Sequence, residues 1–257
     1  MTSLPQVLAA LEPFDGAWRG TIPDTWLQGR TAYGGFSAAL ALHAAQLSDT
    51  DLPPLRSAQV SFIGPLSGPV TLRAQRLRRG RNAAFVQADV VSDAGLGLRA
   101  TFVFMGPVES RVDYRAGEPP AFDKPDGSST TFSGKAPFFT QNFEFLDRRD
   151  GATGPTEWLR WVRLTDRAGL DPMVELMAVA DCLPPAAFKL LGGPAPVSSM
   201  TWIVNVLGPQ PRTEDGWWLL RASTDYAVAG SSSQQMGIWN SAGEPIAEQM
   251  QSVALFA

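Results

Sequence analysis

The chain contains little of the side-chain chemistry on which many enzymes depend, with one histidine and one cysteine among 257 residues. A zinc site built from several His or Cys ligands is therefore excluded. Cys182 has no partner for an internal disulfide, which fits a reducing compartment. A Ser-His-Asp triad would have to use His43, in the Ala-rich segment "ALALHAAQL". A histidine near the end of such a helix is more often a surface residue than a catalytic one.

Other absences narrow the class of protein further. The sequence has neither a Gly-x-x-x-x-Gly-Lys phosphate-binding loop nor a Gly-x-Ser-x-Gly nucleophile elbow. No run is long and apolar enough to span a bilayer, and the start "MTSLPQVLAALEPFDG" lacks the basic region of a signal peptide. We therefore expect a cytoplasmic protein without a membrane partner. A net charge of −4 and a pI of about 5.1 argue against non-specific nucleic-acid binding.

One segment departs from this acidic balance. The stretch "RLRRGRN", residues 76–82, holds four arginines around a glycine. It can be a solvated hairpin tip, or it can be an anion site that binds phosphate groups. Composition does not decide between the two interpretations.

The order of predicted elements repeats once along the chain. The first copy has a helix over 33–46, a strand over 55–63 and three further strands within 68–105. The second has a helix from Asp171-Pro172, an N-cap followed by a first-turn proline, to about Leu183, then four strands. Each copy is a helix followed by a meander of antiparallel strands, so we predict an α+β fold of two tandem units whose sheets pair edge to edge.

The boundaries follow from composition. Residues 113–134 fall in a stretch rich in Pro, Gly, Ser and charge, which is typical of a linker. We predict an N-terminal unit over 1–112 and a C-terminal unit over 135–257. The segments "FFTQNFEFLD" and "TEWLRWVRL" are predicted to open the second unit with strands.

An acidic residue stands where the second helix is otherwise apolar. Met177 and Ala178 share a helix face with Asp181, and Val174 lies one turn further back. An unpaired buried carboxylate is costly, so Asp181 needs either a partner or a function.

The sequence resembles the thioesterase II-like acyl-CoA thioesterases, a family of double hotdog proteins. The second half carries the resemblance most strongly, and the first half adds the helix opening and the arginine-glycine hairpin. The matching segments are "LDPMVELMAVADCLPPAAF", "VSSMTWIVNVLGP", "GEPIAEQMQSVALF", "QGRTAYGGFSAALAL" and "RLRRGRNAAFVQADV".

The resemblance implies a set of site residues. In that family an Asp on the second helix, a Thr or Ser on the next strand and a Gln on the last strand hold the attacking water. These positions fall on Asp181, Ser199 and Gln251. A small error in strand register would replace them with the neighbouring polar residues, which are Ser198, Thr201 and Gln249.

The residues also suggest how the substrate is held. Backbone N–H groups at a helix start can stabilise an oxyanion, and Gly34 and Gly35 open the first helix. Arg79 and Arg81 are predicted to bind the phosphates of coenzyme A. The resemblance implies an acyl-CoA substrate, hydrolysed by an activated water without a metal or redox cofactor.

Three other functions stay open. The chain could bind acyl-CoA without hydrolysing it, or serve as a structural module. A hotdog hydratase would need an Asp-His pair, and only His43 is available for it. Oligomers could form through the hotdog sheets.

The two copies are not predicted to be chemically equivalent. The first helix lacks an acid and the last strand of the first copy lacks a Gln. We therefore expect one working site per chain, with the counterpart cleft filled or inert because of bulky residues such as Phe36.

Overall fold

The helices follow the capping signals of the sequence. A computed structural model describes residues 2–115, 118–146, 153–193 and 195–256. The carboxylate of Asp171 accepts hydrogen bonds from the N–H groups of Met173 and Val174 at 2.9 and 3.2 Å, so it caps the helix that follows. The α-helices in the described ranges are α1 (Leu4–Ala9), α2 (Gly34–Leu47) and α3 (Pro172–Ala180).

Helix α3 ends earlier than the sequence predicts. Its last residue is Ala180 rather than Leu183, and Asp181 is the C-cap, with φ −100° and ψ 11°. Pro184-Pro185 sets only the last position at which the helix can end, and the chain leaves helical geometry before that position. Asp181 therefore stands at the end of the helix instead of on its side.

The strands in the described ranges divide between the two halves. The first half contributes β1 (Glu12–Phe14), β2 (Ala17–Ile22), β3 (Leu27–Gln28), β4 (Thr31–Ala32), β5 (Leu55–Phe62), β6 (Gly68–Arg79), β7 (Ala83–Ser92) and β8 (Gly95–Met105). The second half contributes β9 (Thr131–Phe132), β10 (Phe143–Leu146), β11 (Glu157–Leu164), β12 (Val197–Val206), β13 (Trp218–Val228), β14 (Ser231–Trp239) and β15 (Pro245–Leu255). Short 3₁₀ helices are found at Asp24–Trp26, Phe139–Asn142 and Ala186–Leu190.

Two predicted segments differ in detail from the structure. The stretch predicted as one strand, 138–147, contains a 3₁₀ turn at Phe139–Asn142 and then β10, while Asp147 lies outside the described residues. The predicted linker ends in β9, which pairs with β10. Residues 1, 116, 117 and 257, which belong to the predicted units and the linker, also lie outside the described residues.

The two sheets join at their edges into one sheet of 13 strands. Its order is β1-β2-β6-β7-β8-β5-β12-β15-β14-β13-β11-β10-β9. The junction is the antiparallel pair β5 and β12, in register from Thr201 opposite Ser61 to Asn205 opposite Ser57. This covers the edge strand of each unit. The predicted α+β tandem hotdog is confirmed.

The two long helices lie antiparallel inside this sheet. The first turn of α2 meets the last turn of α3, where the Tyr33 hydroxyl donates to the Ala178 carbonyl oxygen at 3.0 Å. At the other end Gln46 donates to Asp171 at 3.1 Å. Small Ala side chains along α2 are fully buried and let the helices approach closely. One hydrophobic core therefore includes residues of both halves.

No helix in the described ranges combines the length and the apolar character needed to cross a membrane.

Candidate active site

Asp181 lies in a cleft at the meeting point of both halves. The cleft has a volume of about 460 Å³, within the usual range for small-ligand sites. The first turn of α2, the loop after β5, the segment after α3 and the start of β12 form its walls. Its lining residues include Gly34, Phe62, Asp181, Ser199 and Gln251. Four of the predicted site residues are thus brought together, although they come from distant parts of the sequence.

The start of α2 faces the carboxylate directly. A β-carbon placed on Gly34 would stand 2.5 Å from Asp181 Oδ2, so only glycine leaves room for the acid. The N–H of Gly35 donates to the Asp181 carboxylate. The role of Gly35 as an oxyanion donor stays a prediction.

Gln251 holds the other side of the acid. Its Nε2 donates to Asp181 Oδ1 at 2.8 Å, and its Oε1 accepts from Gln234 Nε2 at 2.6 Å. Gln234 Oε1 in turn accepts from the N–H of Ala186 at 2.9 Å. Both glutamine side chains are buried, with 2% of Gln251 and 1% of Gln234 exposed. A chain of three hydrogen bonds thus leads from a backbone amide to the acid.

These surroundings change the acidity of Asp181. Burial raises the pKa of Asp181 to about 7, against the opposing effect of the hydrogen bonds from Gln251 and from the Gly35 N–H. A carboxylate with a pKa near neutrality is suited to accept a proton at physiological pH.

The two neighbours that could compete as reactive groups are neutral. Burial raises the pKa of the Cys182 thiol well above its ordinary value, and a neutral thiol is a poor nucleophile. Burial likewise raises the pKa of Tyr33 well above 10. Its hydroxyl is bonded to Ala178 and its ring stacks on Phe139 with centroids 4.1 Å apart. Tyr33 therefore anchors the helix start.

The structure distinguishes the alternative polar residues on β12 and β15. Thr201 lies opposite Ser61 on the exposed face of the sheet and does not line the cleft. Gln249 accepts from Trp202 Nε1 at 2.8 Å and also lies outside the cleft lining. Ser198 and Ser199 both line the cleft, beside a register shift between Ser199 and Thr201.

Ser199 is the less exposed of the two serines in the cleft. The Ser198 hydroxyl donates to the Ser199 carbonyl oxygen at 3.4 Å. Within the described residues no hydrogen bond joins the Ser199 hydroxyl to Asp181 or Gln251, so its role in holding a water stays a prediction.

The arginine hairpin lies at the other end of the sheet. Arg79 on β6 pairs with Ala84 on β7. Ala84 pairs with Phe104 on β8, and Phe104 pairs with Leu55 on β5, so the hairpin lies level with Leu55. Leu55 begins β5 and Phe62, which borders the cleft, ends it. The separation along the strand is roughly 23 Å for seven residue steps.

The hairpin arginines are also partly neutralised. Arg76 forms an ion pair with Asp49 at 3.0 Å, and Arg79 forms one with Asp51 at 3.1 Å. The structure therefore does not bring the predicted coenzyme A ligands Arg79 and Arg81 to the Asp181 cleft. The charged residues among the described lining of that cleft are Asp181 and Arg30.

The counterpart of the Asp181 cleft is open rather than filled. It has a volume of about 1050 Å³ and lies where α2 ends and α3 begins. The expectation that bulky residues close it is wrong, because Phe36 points into the core, where it stacks on Trp26 with centroids 4.6 Å apart.

The counterpart cleft carries different chemistry. His43 stands ten residues after the N-cap Tyr33, as Asp181 stands ten after the N-cap Asp171. Burial lowers the pKa of His43, with the charge of Asp171 opposing that effect. Counting back from the two Gly-Pro pairs places Leu55 where the second half has Ser199. The two clefts are therefore not equivalent.

Sequence reasoning missed Gln234 and Arg30. Gln234 sits in the doublet "QQ" of β14, and the alternation of that strand places it on the buried face. A glutamine at a buried strand position is a usable signal, because it needs hydrogen-bond partners. Arg30 occupies the turn between the two-residue strands β3 and β4, and that turn is too short to be read from periodicity.

No cluster of three or more His, Cys, Asp or Glu side chains that could hold a metal ion occurs in the described ranges.

The fold and the cleft define a double hotdog protein whose buried acid faces the start of the other helix. Comparison with family models makes the assignment specific. Residues 22–105 match the acyl-CoA thioesterase N-terminal domain, and residues 107–255 match the acyl-CoA thioesterase C-terminal domain. The chain belongs to the acyl-CoA thioesterase family, as the resemblance in its sequence predicts.

Solved structures agree on the fold. A conserved hot dog protein of unknown function from Alicyclobacillus acidocaldarius has a TM-score of 0.87 at 22% identity, covering 100% of this chain and 99% of that chain. Acyl-CoA thioesterase II TesB2 from Mycobacterium marinum has a TM-score of 0.76 at 18% identity, covering 99% of both chains. No curated protein sequence matches the chain.

Proposed function

We propose that the protein hydrolyses the thioester of an acyl-CoA, using a water activated by Asp181. The observation that carries the proposal is the position of this acid. It combines a pKa of about 7 with hydrogen bonds from Gln251 and the Gly35 N–H, in a cleft between the two hotdogs. Family membership supports a thioester as the substrate.

The reaction follows from the roles of these groups. The oxygen of a water forms a bond to the thioester carbonyl carbon while the Asp181 carboxylate takes one of its protons. The carbonyl oxygen becomes an oxyanion. When the tetrahedral intermediate collapses, the carbon–sulfur bond breaks and the leaving thiolate receives the proton from Asp181. The products are a carboxylic acid and free coenzyme A, and no co-reactant other than water is consumed.

Donors for the oxyanion come from two elements. The N–H of Gly34 is at the first position of α2, where no intrahelical acceptor exists, and the positive end of the helix dipole favours negative charge there. Gln251 Nε2 has a second N–H beyond the one directed at Asp181. Because Gln234 occupies Gln251 Oε1, Gln251 serves the reaction mainly as a donor. Ser199 completes the set as a second ligand of the water.

The phosphates of coenzyme A are assigned to Arg30 instead of Arg79 and Arg81. Arg30 is exposed at the edge of the Asp181 cleft and forms no ion pair within the described residues. A free guanidinium at the cleft mouth can bind a phosphate bidentately. The hairpin arginines lie beside the start of β5, whereas the Asp181 cleft lies beside its end. They are therefore too far away to contact a ligand inside this cleft.

A thiol-release assay over acyl-CoAs of increasing chain length tests the proposal. Wild-type protein should release coenzyme A, and Asp181→Asn should not do so at a comparable rate. Asp171→Asn is the matched control, because it makes the same change at the N-cap of the same helix and asparagine also caps helices well. Tight binding of acyl-CoA by wild-type protein without thiol release would instead identify a non-catalytic binding protein.

A further inference from the structure

The hydrogen-bond chain behind Asp181 has a fixed direction. It starts at the N–H of Ala186, which can only donate. This donor requires that Gln234 turn its Oε1 toward Ala186 and its Nε2 toward Gln251, at 2.9 and 2.6 Å. Gln251 must then present Oε1 to Gln234 and Nε2 to Asp181. One backbone amide thus sets the orientation of two side-chain amides.

The alternative orientation of Gln251 would be unfavourable for catalysis. A reversed amide would place Oε1 against the carboxylate of Asp181, and two acceptors cannot bond unless the acid holds a proton. The observed orientation supplies a donor at 2.8 Å, which favours the ionised acid. A base must be ionised to accept a proton, so the direction of the chain bears on activity.

Gln234 is placed to act on the acid without touching a ligand. It is buried on β14, with 1% of its side chain exposed, and it does not line the cleft. Register pairs it with Gln251 across the β14–β15 ladder. Its bond to Ala186 also ties the 3₁₀ turn after Asp181 to the sheet.

We propose that Gln234 is a positioning residue, which fixes the amide of Gln251 so that it donates to Asp181. This inference rests on the proposed function for its kinetic test, because it assigns Asp181 as the base. Its spectroscopic test does not depend on activity. The hydrogen-bond chain from Ala186 through Gln234 and Gln251 favours the ionised form of Asp181, which can accept a proton.

The first test replaces Gln234 with methionine, which has a similar length but no amide. The rise of kcat/KM with pH should move to higher pH. Activity at pH 7 should fall by roughly 3- to 10-fold, the effect expected for loss of the hydrogen bond between the neutral amides of Gln234 and Gln251. KM should change little, because Gln234 does not line the cleft. Gln235→Met is the matched control, since Gln235 is the exposed neighbour on the other face of β14.

A double-mutant cycle separates positioning from a structural role. If Gln234 acts through Gln251, Gln234→Met should have little further effect on the pH profile of a Gln251→Met variant. A merely structural role would leave the profile of Gln234→Met unshifted and would instead raise KM or lower the melting temperature. An unshifted profile in a folded Gln234→Met variant overturns the proposal.

The spectroscopic test follows the carboxyl group of Asp181 itself by infrared difference titration, with Asp181→Asn identifying its band. Protonation of Asp181 should persist to higher pH in Gln234→Met than in wild-type protein. Equal titration in both variants would refute the positioning role even if no thioester is hydrolysed. Absence of thiol release with a shifted titration would refute only the proposed function.

Discussion

The carboxylate of Asp181 occupies the space that a side chain at position 34 would need. A β-carbon on Gly34 would stand 2.5 Å from Asp181 Oδ2 and 3.0 Å from the ring of Phe62. The two helices therefore meet at a point where one supplies backbone and the other supplies the acid. Position 34 must therefore be glycine to leave space for the Asp181 carboxylate, and not only to let the helices pack.

Gly34→Ala should displace Asp181 and lower kcat by roughly 10- to 100-fold, because small misplacements of a catalytic group are costly. The α-helix itself should tolerate alanine, which has a high helix propensity. Steady-state kinetics measures the effect, and circular dichroism checks the fold. Gly208→Ala is the control, since a β-carbon there meets nothing within 4 Å. Equal activity of both variants would mean that the acid does not need its present position.

The pH dependence of activity should follow the acid. Asp181 must be ionised to act as a base, and burial raises its pKa to about 7. We therefore expect kcat/KM to fall as pH decreases below about 7, with Asp181→Asn lowering turnover by roughly 10²- to 10⁴-fold and removing this dependence. A wild-type profile that stays level down to pH 5 would exclude Asp181 as the titrating base.

The free energy of unfolding should also depend on pH through Asp181, and the direction of this dependence follows from the raised pKa. The pKa of Asp181 is higher in the folded state than the ordinary value of 3.8. The folded protein thus holds a proton that the unfolded chain releases, and this contribution to stability is lost as pH rises from about 4 through about 7. Asp181→Asn should therefore be more stable relative to wild type at pH 8 than at pH 5. Urea unfolding at both pH values measures the difference, and a constant difference would contradict the assignment.

The sequence predicts those site residues that belong to a local motif or lie at a fixed distance from a turn. The helix opening at Gly34, the acid at Asp181 and the glutamine at Gln251 were each placed by a motif or by counting from a Gly-Pro or Gly-containing turn, and the structure brings all three together. The end of α3 was placed too late because Pro184 sets only a latest limit. The structure ends α3 at Ala180, with Asp181 as its C-cap.

Positions that depend on the arrangement of the sheet were not accessible. The arginine hairpin matched a family segment, but which end of β5 it occupies is fixed by strand order and direction. Gln234 reaches Asp181 through Gln251 across the β14–β15 ladder. Arg30 belongs to the other half and lines the Asp181 cleft where the two halves meet.

Arg30→Ala should raise KM for acyl-CoA by roughly 3- to 10-fold and leave kcat nearly unchanged, because a phosphate contact is made equally in ground and transition states. The dependence of KM on salt should weaken as well. The matched control is the double variant Arg79→Ala, Arg81→Ala, which removes two guanidinium groups from the far end of β5. If the double variant raises KM and Arg30→Ala does not, coenzyme A binds through the hairpin, as the sequence alone suggests.

The last prediction concerns the number of ligands per chain. Both clefts are large enough for part of an acyl-CoA, but their charges differ. Two acids and one arginine line the counterpart cleft, namely Asp49, which pairs with Arg76, Asp171 and Arg212. One acid and one arginine, Asp181 and Arg30, line the other cleft, so the counterpart cleft has the less favourable charge balance for phosphate groups. A non-hydrolysable acyl-CoA analogue should therefore bind with one equivalent per chain in calorimetric titration.

Arg30→Glu should weaken the binding of this analogue, since it reverses the charge at the mouth of the Asp181 cleft. The matched charge change in the counterpart cleft, Arg212→Glu, should leave it unaffected. A second equivalent of similar affinity that Arg212→Glu removes would show that the open counterpart cleft also binds ligand, and the expectation of one site per chain would then be wrong.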